Sequence, residues 1–525
     1  MERYLTLLAV CLGTVISAYL SSCINIALPD IMAELNFDSD SIVWVSLGYL
    51  LPYGSMLPLT GKLGDKYGAK KMYLIGIICF SIGSVLCGTA TGGTSMLIYR
   101  VIQGVGGGTL LPNAMTIVAV TFTGAERATA LGLWSAMAAI GTAIGPTIGG
   151  YLIELFQWRS IFFSVIPFCI LGILLAFIFI PKIKATTDTP IDILGGILLF
   201  ISIAALLIAL NQGEKEGWFD SYYINSLLYL FFSVFCLFIL VELRTPSPIF
   251  DFRLFTSQNF LLANLIAGAT FFTMQSTTYL LPFFLKSILN YNSIQAGMMM
   301  LPQTVAMVLS AAISGKLSTA FGPRPVTFCG MSAALYAFFL LKDINASFGV
   351  YDFFVPLAIY GFGLGLTMSP TTTCAMATLK RDQLGVGSGI LNFSKLLNAS
   401  IGVVIMQVLL TRREIYHAQI LTTTLDVSHD SFSLYQLIAA LQMQNFFGGS
   451  FDVALGSQLW FNGMNILPEK YASFMQYLNQ IISSQSAILA FQDDFFVLFC
   501  FSKMGFLCVA LAVLELCLKT RLALN

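Results

Sequence analysis

Charged side chains are scarce in this chain, and the few that fall inside apolar stretches are the places where chemistry would be done. Arg100 lies within an apolar run near 94–120, Lys395 near the middle of one at 385–410, and Lys503 in one at 494–518. An ionisable group buried in such a run is costly unless paired, so these residues are suspects for an ion or substrate path. Carboxylates are expected only at the edges of the runs. Asp30 and Glu154 sit at the ends of runs near 5–27 and 125–153, and Asp65 sits in a polar turn. A half-buried Glu154 would hold its proton more tightly than a free acid and could exchange it with adjoining water. Lys503 has a side chain long enough to snorkel to an interface.

Other kinds of chemistry find no foothold. The eleven cysteines are scattered, mostly inside apolar runs (Cys11, Cys23, Cys79, Cys87, Cys508), and both histidines, His417 and His429, lie outside those runs. No metal-type spacing occurs, so no metal site and no cofactor are expected. No Gly-x-x-x-x-Gly-Lys-Ser/Thr loop is present to bind ATP. The chain is not expected to be an enzyme.

These residues must be held by something, and the composition says what. Of 525 residues, 57% are apolar and only 10% charged, against about 25% charged in a water-soluble domain. Lys plus Arg equal Asp plus Glu at 26 each, which leaves no basic footprint for nucleic acid. A bilayer span takes roughly 20 apolar residues, and hydropathy marks fourteen candidate helices. They fall near 5–27, 42–60, 72–90, 94–120, 125–153, 159–181, 190–211, 222–243, 259–285, 294–314, 326–341, 351–376, 385–410 and 494–518. The fold class is therefore an all-α polytopic membrane protein, with one long polar stretch at 411–493. The start of the chain runs straight into apolar sequence and reads as a retained first span.

Basic residues concentrate in alternate loops. Arg3, Lys62, Lys66, Lys70, Lys71, Arg127, Lys182, Lys184 and Arg244 share one side, while Arg159, Lys215, Lys286 and Lys342 fall on the other. Lys and Arg favour the cytoplasmic face, so both termini are expected inside and the 411–493 loop outside. Loops on the same side also repeat. Gly61-Lys-Leu-Gly64-Asp65-Lys-Tyr-Gly68-Ala-Lys70-Lys71 is echoed by Gly315-Lys-Leu-Ser-Thr319-Ala-Phe-Gly322-Pro-Arg324. Such repetition suggests two bundles with a substrate path between them. In the first copy the glycines permit a tight turn and close helix approach, and Asp65 can cap a helix or pair with a cation. In the second, Thr319 replaces the acid. A third pattern, Gly141-x-x-x-Gly145-Pro146-x-x-Gly149-Gly150, gives its helix a smooth face with a bend inside it.

The loop pattern Gly61 to Lys71, the run Arg100-Val-Ile-Gln103-Gly104 and the glycine–proline pattern at 141–150 resemble the ordered signatures of the major facilitator superfamily. Fourteen candidate spans narrow the resemblance to the fourteen-helix drug:proton antiporters of the EmrB/QacA type. So do Trp158-Arg159, the segment Asp192…Gln212-Gly213…Gly217-Trp218, Gln485-Ser-Ala487 and Asp493-Asp494-Phe495. The resemblance implies a six-helix bundle at 1–185, two inserted helices at 186–245, and a second bundle at 246–525. It implies Asp65 as a latch on the cytoplasmic side, Arg100 as part of proton coupling, and Glu154 at a position where relatives place an acid. Lys395 occupies a position where relatives often carry a basic residue, with Asn392 beside it.

One departure bears on substrate. Drug-exporting relatives commonly carry an aspartate in the first helix, a few residues before an Asn-x-Ala-Leu-Pro run. Here Asn25-Ile-Ala27-Leu28-Pro29 is intact, but Leu20 takes the acid's place. A cavity with cationic Arg100 and Lys395 and no central carboxylate suits anionic or neutral amphiphiles better than lipophilic cations. Phe271, Phe272, Gln275, Tyr279 and Gln303 are expected to face the same space. The reading is a proton-driven exporter of a drug, siderophore or similar metabolite through a bacterial inner membrane. An outward amphipathic hairpin (Leu434 to Phe447, Tyr471 to Phe491) would be available to a periplasmic adaptor or for packing on the bundle. The alternatives are an organic-anion importer or exchanger on the same fold, and a transporter-shaped sensor that moves nothing.

Overall fold

A computed structural model describes residues 2–37, 42–123, 125–181, 192–213, 215–291, 293–345, 348–377, 379–380, 383–424 and 468–524. Every regular element among them is helical. In chain order they are α1 (Glu2–Glu34), α2 (Val43–Tyr67), α3 (Ala69–Gly88), α4 (Gly93–Thr121), α5 (Ala125–Phe156), α6 (Arg159–Ser164), α7 (Ile166–Phe179), α8 (Ile193–Gln212) and α9 (Tyr222–Arg244). There follow α10 (Gln258–Ser287), α11 (Ser293–Met299), α12 (Leu301–Phe321), α13 (Pro323–Leu341), α14 (Val350–Ala377), α15 (Leu384–Thr424) and α16 (Pro468–Leu524).

Eight described stretches are long and apolar enough to cross a bilayer, among them Glu2–Ile24, Ala69–Gly88, Tyr222–Arg244 and Leu384–Thr422. Large apolar side chains lie exposed along their outer faces, as with Ile75, Ile78 and Ile82 on α3 and Val305, Leu309 and Ile313 on α12. A belt of that kind belongs in lipid. α4, outside the eight, is wrapped by neighbours. α4 carries Gly104, Gly106 and Gly108, whose added Cβ atoms would strike the backbones of Tyr49, Phe80 and Tyr53. Such a helix gains its contacts from backbone proximity, so its hydropathy falls.

Helix ends differ from the hydropathy reading for local reasons. α2 runs on through Lys62 and Asp65, and Gly68 at φ +93° links it directly to α3. Its echo, Gly322 at φ +87°, links α12 to α13 in the same way. Both repeats therefore end on a glycine in a backbone region that side-chain-bearing residues avoid. The run at 159–181 is broken into α6 and α7 at Val165, ahead of Pro167, and that at 294–314 into α11 and α12, ahead of Pro302. The loop expected at 411–493 is helical at both ends, because α15 continues to Thr424 and α16 begins at Pro468. Residues 425–467, with His429 and the Leu434 to Phe447 stretch, lie outside the described residues, as do Lys182, Lys184 and the expected boundary at 185–186.

Three buried clusters organise the packing. One gathers α1 to α7 around Ile31, Tyr73, Phe80, Trp158 and Phe162. Another joins α10 and α12–α16 around Phe284, Phe338, Phe353 and Phe491. A smaller one seats α8 and α9 against α2 and α15 through Leu47, Leu51, Leu199, Phe238 and Phe393.

Candidate functional site

The turn motif does something specific in three dimensions. Asp65, 5% exposed, accepts hydrogen bonds from the backbone N–H groups of Gly385 (2.9 Å) and Val386 (3.0 Å). Those amides open α15, so the carboxylate caps a helix more than 300 residues away in sequence and meets the positive end of its dipole. The approach is possible because glycines face each other. A Cβ on Gly61 would collide with the carbonyl oxygen of Gly385, and one on Gly389 would lie 2.6 Å from the Leu57 oxygen. Gly64 lies against the Asn113 side chain. Lys62, 8% exposed, donates to Ser247 Oγ (2.6 Å) and the Pro248 oxygen (3.2 Å), fastening α2 to the segment after α9. Lys70 donates to the carbonyls of Phe177 (2.8 Å) and Ile180 (2.6 Å) at the end of α7. Lys71 lies 5.7 Å from the centre of the Tyr67 ring.

The repeat makes the matching contact without the acid. A Cβ on Gly315 would fall 2.6 Å from the Ala128 oxygen and from Thr129 Cα, so α12 meets the start of α5 as α2 meets the start of α15. Thr319 turns its hydroxyl back to the Lys316 carbonyl at 2.7 Å. The α5 seam is bridged instead by Arg127 donating to the Met376 carbonyl at 3.2 Å. At the end bearing the α2–α3 turn, the molecule is thus closed by two glycine seams, one of them capped by a buried carboxylate.

Arg100 is 1% exposed. Its Nε donates to the Val45 carbonyl (2.9 Å) and its Nη1 to Gln103 Oε1 (2.6 Å), and Gln103 donates to Ser84 Oγ (2.7 Å). The guanidinium stacks 4.6 Å over the Tyr49 ring, and the Tyr49 hydroxyl lies 3.2 Å from Ser17 Oγ. Four helices, α1 to α4, meet through this network, and no carboxylate among the described residues pairs with the arginine. The glycine face of α5 packs on α1: added Cβ atoms on Gly141, Gly145 and Gly149 would strike Val15, Ser22 and Cys23. Ser22 and Cys23 donate to the Thr142 and Gly145 carbonyls, both at 2.9 Å. Gly150 faces open space. Of Pro146 and Asn25 the backbone is described and the side chain is not.

Lys395, 9% exposed, donates to Thr372 Oγ1 (3.4 Å) and stands 5.4 Å from the Phe271 ring centre. Asn392 donates to the Ser388 carbonyl (2.9 Å) and approaches Met115 Sδ (3.5 Å), placing it at the α4–α15 contact. Gln275 and Tyr279 are half-buried on α10, with Tyr279 stacked on Phe283. Gln303 is buried where Gly361 of α14 closes on its backbone, so it packs between helices. The expected cavity set is therefore divided. A cleft of about 210 Å³ lies elsewhere, between α1, α4, α5 and the end of α12, lined by Tyr4, Phe122, Glu126, Thr129 and Thr319.

The acids require correction. Glu154 is exposed near the end of α5, not half-buried, and Asp30 is exposed as well. Lys503 also lies exposed. Two carboxylates at the edges of expected runs are nevertheless buried: Glu242 on α9, 3% exposed, and Asp494 on α16, 0% exposed. Asp494 stands at the first position of the expected run 494–518, whereas the helix begins 26 residues earlier at Pro468. Leu20, in the place of the relatives' helix-1 acid, is 1% exposed and sits in the core. At the opposite end from the α2–α3 turn, Trp158 Nε1 donates to Glu34 at 2.6 Å and Arg159 pairs with the same carboxylate. Arg159 also donates to the Ala90 carbonyl at 2.8 Å. Glu34 carried no sequence signal, since its partners lie far along the chain.

Known proteins resemble this chain in both sequence and fold. Residues 10–403 match the Major Facilitator Superfamily. Riboflavin transporter RibZ of Clostridioides difficile (strain 630) is 32% identical over 407 residues, covering 76% of this chain and 87% of that protein. Multidrug export protein EmrB of Escherichia coli (strain K12) is 29% identical over 445 residues, covering 83% and 86%. The human organic anion transporter MFSD10 shares the fold, with a TM-score of 0.58 at 17% identity over 77% of this chain and 93% of its own. The relatives are transporters, not enzymes. With its helices, its apolar belt and these similarities, the chain is a multi-pass membrane transporter and belongs to the major facilitator superfamily.

Proposed function

We propose that this chain is a proton-coupled secondary exporter. It carries a small amphiphilic organic compound, a drug, siderophore or similar metabolite, out of the cytoplasm by alternating access. Fourteen spans make two six-helix bundles, at 1–185 and 246–525, with α8 and α9 at 186–245 inserted between them. Both termini are cytoplasmic in a bacterial inner membrane, and the excursion at 411–493 faces outward, where a periplasmic adaptor would dock.

The observation that carries this reading is the Asp65 carboxylate on the α15 amides across a glycine seam. It is a contact between halves that is strong when made and leaves no covalent trace when broken, as a gate requires. On this orientation it is the cytoplasmic side that the seams shut. Proton entry would drive the cycle, one proton falling through about 150 mV supplying roughly 3.5 kcal/mol, enough for a gradient of a few hundredfold. Lys395 beside Phe271 and Thr372, with no described carboxylate paired to it, favours an anionic or neutral amphiphile. RibZ, named as a riboflavin transporter, is a relative consistent with a neutral one. The buried Leu20 in place of a helix-1 acid also keeps an organic-anion importer or exchanger on the same fold as the second reading.

The test is proton flux in inverted vesicles, read by a pH-sensitive dye, on addition of tetraphenylphosphonium, chloramphenicol or citrate. Dequenching by citrate or chloramphenicol, lost in Asp65→Asn, supports the proposal. A response to tetraphenylphosphonium alone overturns the substrate class. Uptake of labelled citrate into right-side-out vesicles would establish the importer, and silence in every arm would leave the sensor.

A further inference from the structure

Asp494 stands in the buried stripe of α16 formed by Phe491, Asp494, Phe495, Leu498 and Ser502. Neither of its oxygens has a hydrogen-bond partner among the described residues. The helix neighbours are apolar, with Phe491 against Phe283 and Phe284 of α10 and the cluster extending to Phe338 and Leu341 of α13, while Tyr279 of α10 and Arg413 of α15 stand within electrostatic reach. A carboxylate with no donor and no solvent is far better accommodated neutral than ionised. One residue earlier the environment changes. Asp493 bonds His417 Nε2 at 2.9 Å and lies 3.5 Å from Arg413 Nε, both on α15, and its side chain is 38% exposed.

We propose that Asp494 is a proton-binding site, loaded from the side of Asp493 and His417, and that it supplies the carboxylate missing from the first helix. This deepens the proton-coupled reading and rests on it. A proton from the outer water binds the Asp494 carboxylate to give the neutral acid, and its loss to the other side restores the carboxylate, with no other reactant needed. The mechanical partner is α15. That one helix, about 60 Å long by its 41 residues, carries Arg413 and His417 near one end and the Asp65-capped amides at the other. A change in charge beside α16 therefore bears on the same rigid element that the gate holds. The other titratable or charged groups on the elements packed around Asp494 are Tyr279 and Lys286 on α10, Glu414 on α15 and Lys503 on α16. Lys342 and Asp343, paired at 3.9 Å, stand at the end of α13.

The full chain in proteoliposomes gives a direct test by infrared difference spectroscopy across a pH titration. The expected result is a carboxylic-acid C=O band that titrates in the wild type, is lost in Asp494→Asn, and persists in Asp65→Asn. His417→Ala should shift the pH at which the band changes without removing it. A spectrum that Asp494→Asn leaves unchanged overturns the assignment. Flux and counterflow separate the site from the coupled reading. Wild-type dequenching that disappears in Asp494→Asn while citrate counterflow survives supports the site as the coupling group. Dequenching that survives in Asp494→Asn overturns the site alone, and a wild type with counterflow but no proton flux overturns the coupled reading itself.

Discussion

At the scale of single residues, the consequential chemistry is a handful of charges placed where water does not reach. Asp65 holds two amides that open α15. Its replacement by Asn keeps one acceptor but loses the charge at the dipole, costing the closed state about 1–2 kcal/mol. That should raise the open population roughly 5- to 30-fold, read as faster maleimide labelling of a cysteine placed at Ser388. Arg100 is a different kind of anchor, because its planar fork serves Val45 and Gln103 at once and stacks on Tyr49. A lysine cannot reproduce that geometry. Arg100→Lys should lose about 1–3 kcal/mol of stability in a thermal assay, along with proton flux; full flux in the variant would reduce Arg100 to packing.

At the scale of elements, glycines decide which helices touch. Gly61 and Gly385 let α2 and α15 meet at backbone distance, and Gly315 does the same for α12 against α5. A bulky residue in either seam collides with backbone rather than with a side chain that can move aside. Gly61→Val should therefore prevent closure, and a cysteine pair replacing Thr116 and Ser388, whose hydroxyls lie 3.2 Å apart across the α4–α15 contact, should crosslink in the parent and fail to do so in the variant. α8 offers an independent check. Asp192 caps it by accepting from the Gly195 amide at 2.8 Å, and also accepts from the Thr245 hydroxyl at 3.2 Å. Asp192→Ala should cost about 1 kcal/mol of thermal stability without moving the α4–α15 crosslink.

At the scale of the whole molecule, the two ends are held differently. The α2–α3 end uses glycine seams and a buried carboxylate, whereas the other end has the partly exposed clamp of Glu34 with Arg159 and Trp158. The bonds from Arg159 and Trp158 hold the Glu34 carboxyl below its ordinary range. A depressed carboxylate contributes stability above its unfolded value and loses it as pH falls through the folded one. Acidification should thus weaken this clamp first, and Glu34→Gln should flatten the acid limb of a thermal-stability profile; an unchanged acid limb would exclude the clamp as its source. The contribution is small because the pair is solvent-screened.

The sequence alone determined the membrane class, the repeated turn, the glycine faces and the family, because each depends on composition or on spacing within one element. Gly68 and Gly322 announced their turns, and Gly141, Gly145 and Gly149 announced a smooth face, without naming α1 as the neighbour. Partners were beyond it. That Asp65 would find the amides of Gly385 and Val386, that Glu34 would clamp Arg159, and that Glu154 would lie exposed are outcomes of helices far apart in the chain coming together. Hydropathy also misled at Asp494, because a charge lowers the local average and pushes the supposed helix end toward it. Only the tertiary structure decided that this carboxylate is enclosed, since burial depends on what packs around a residue and not on its own polarity.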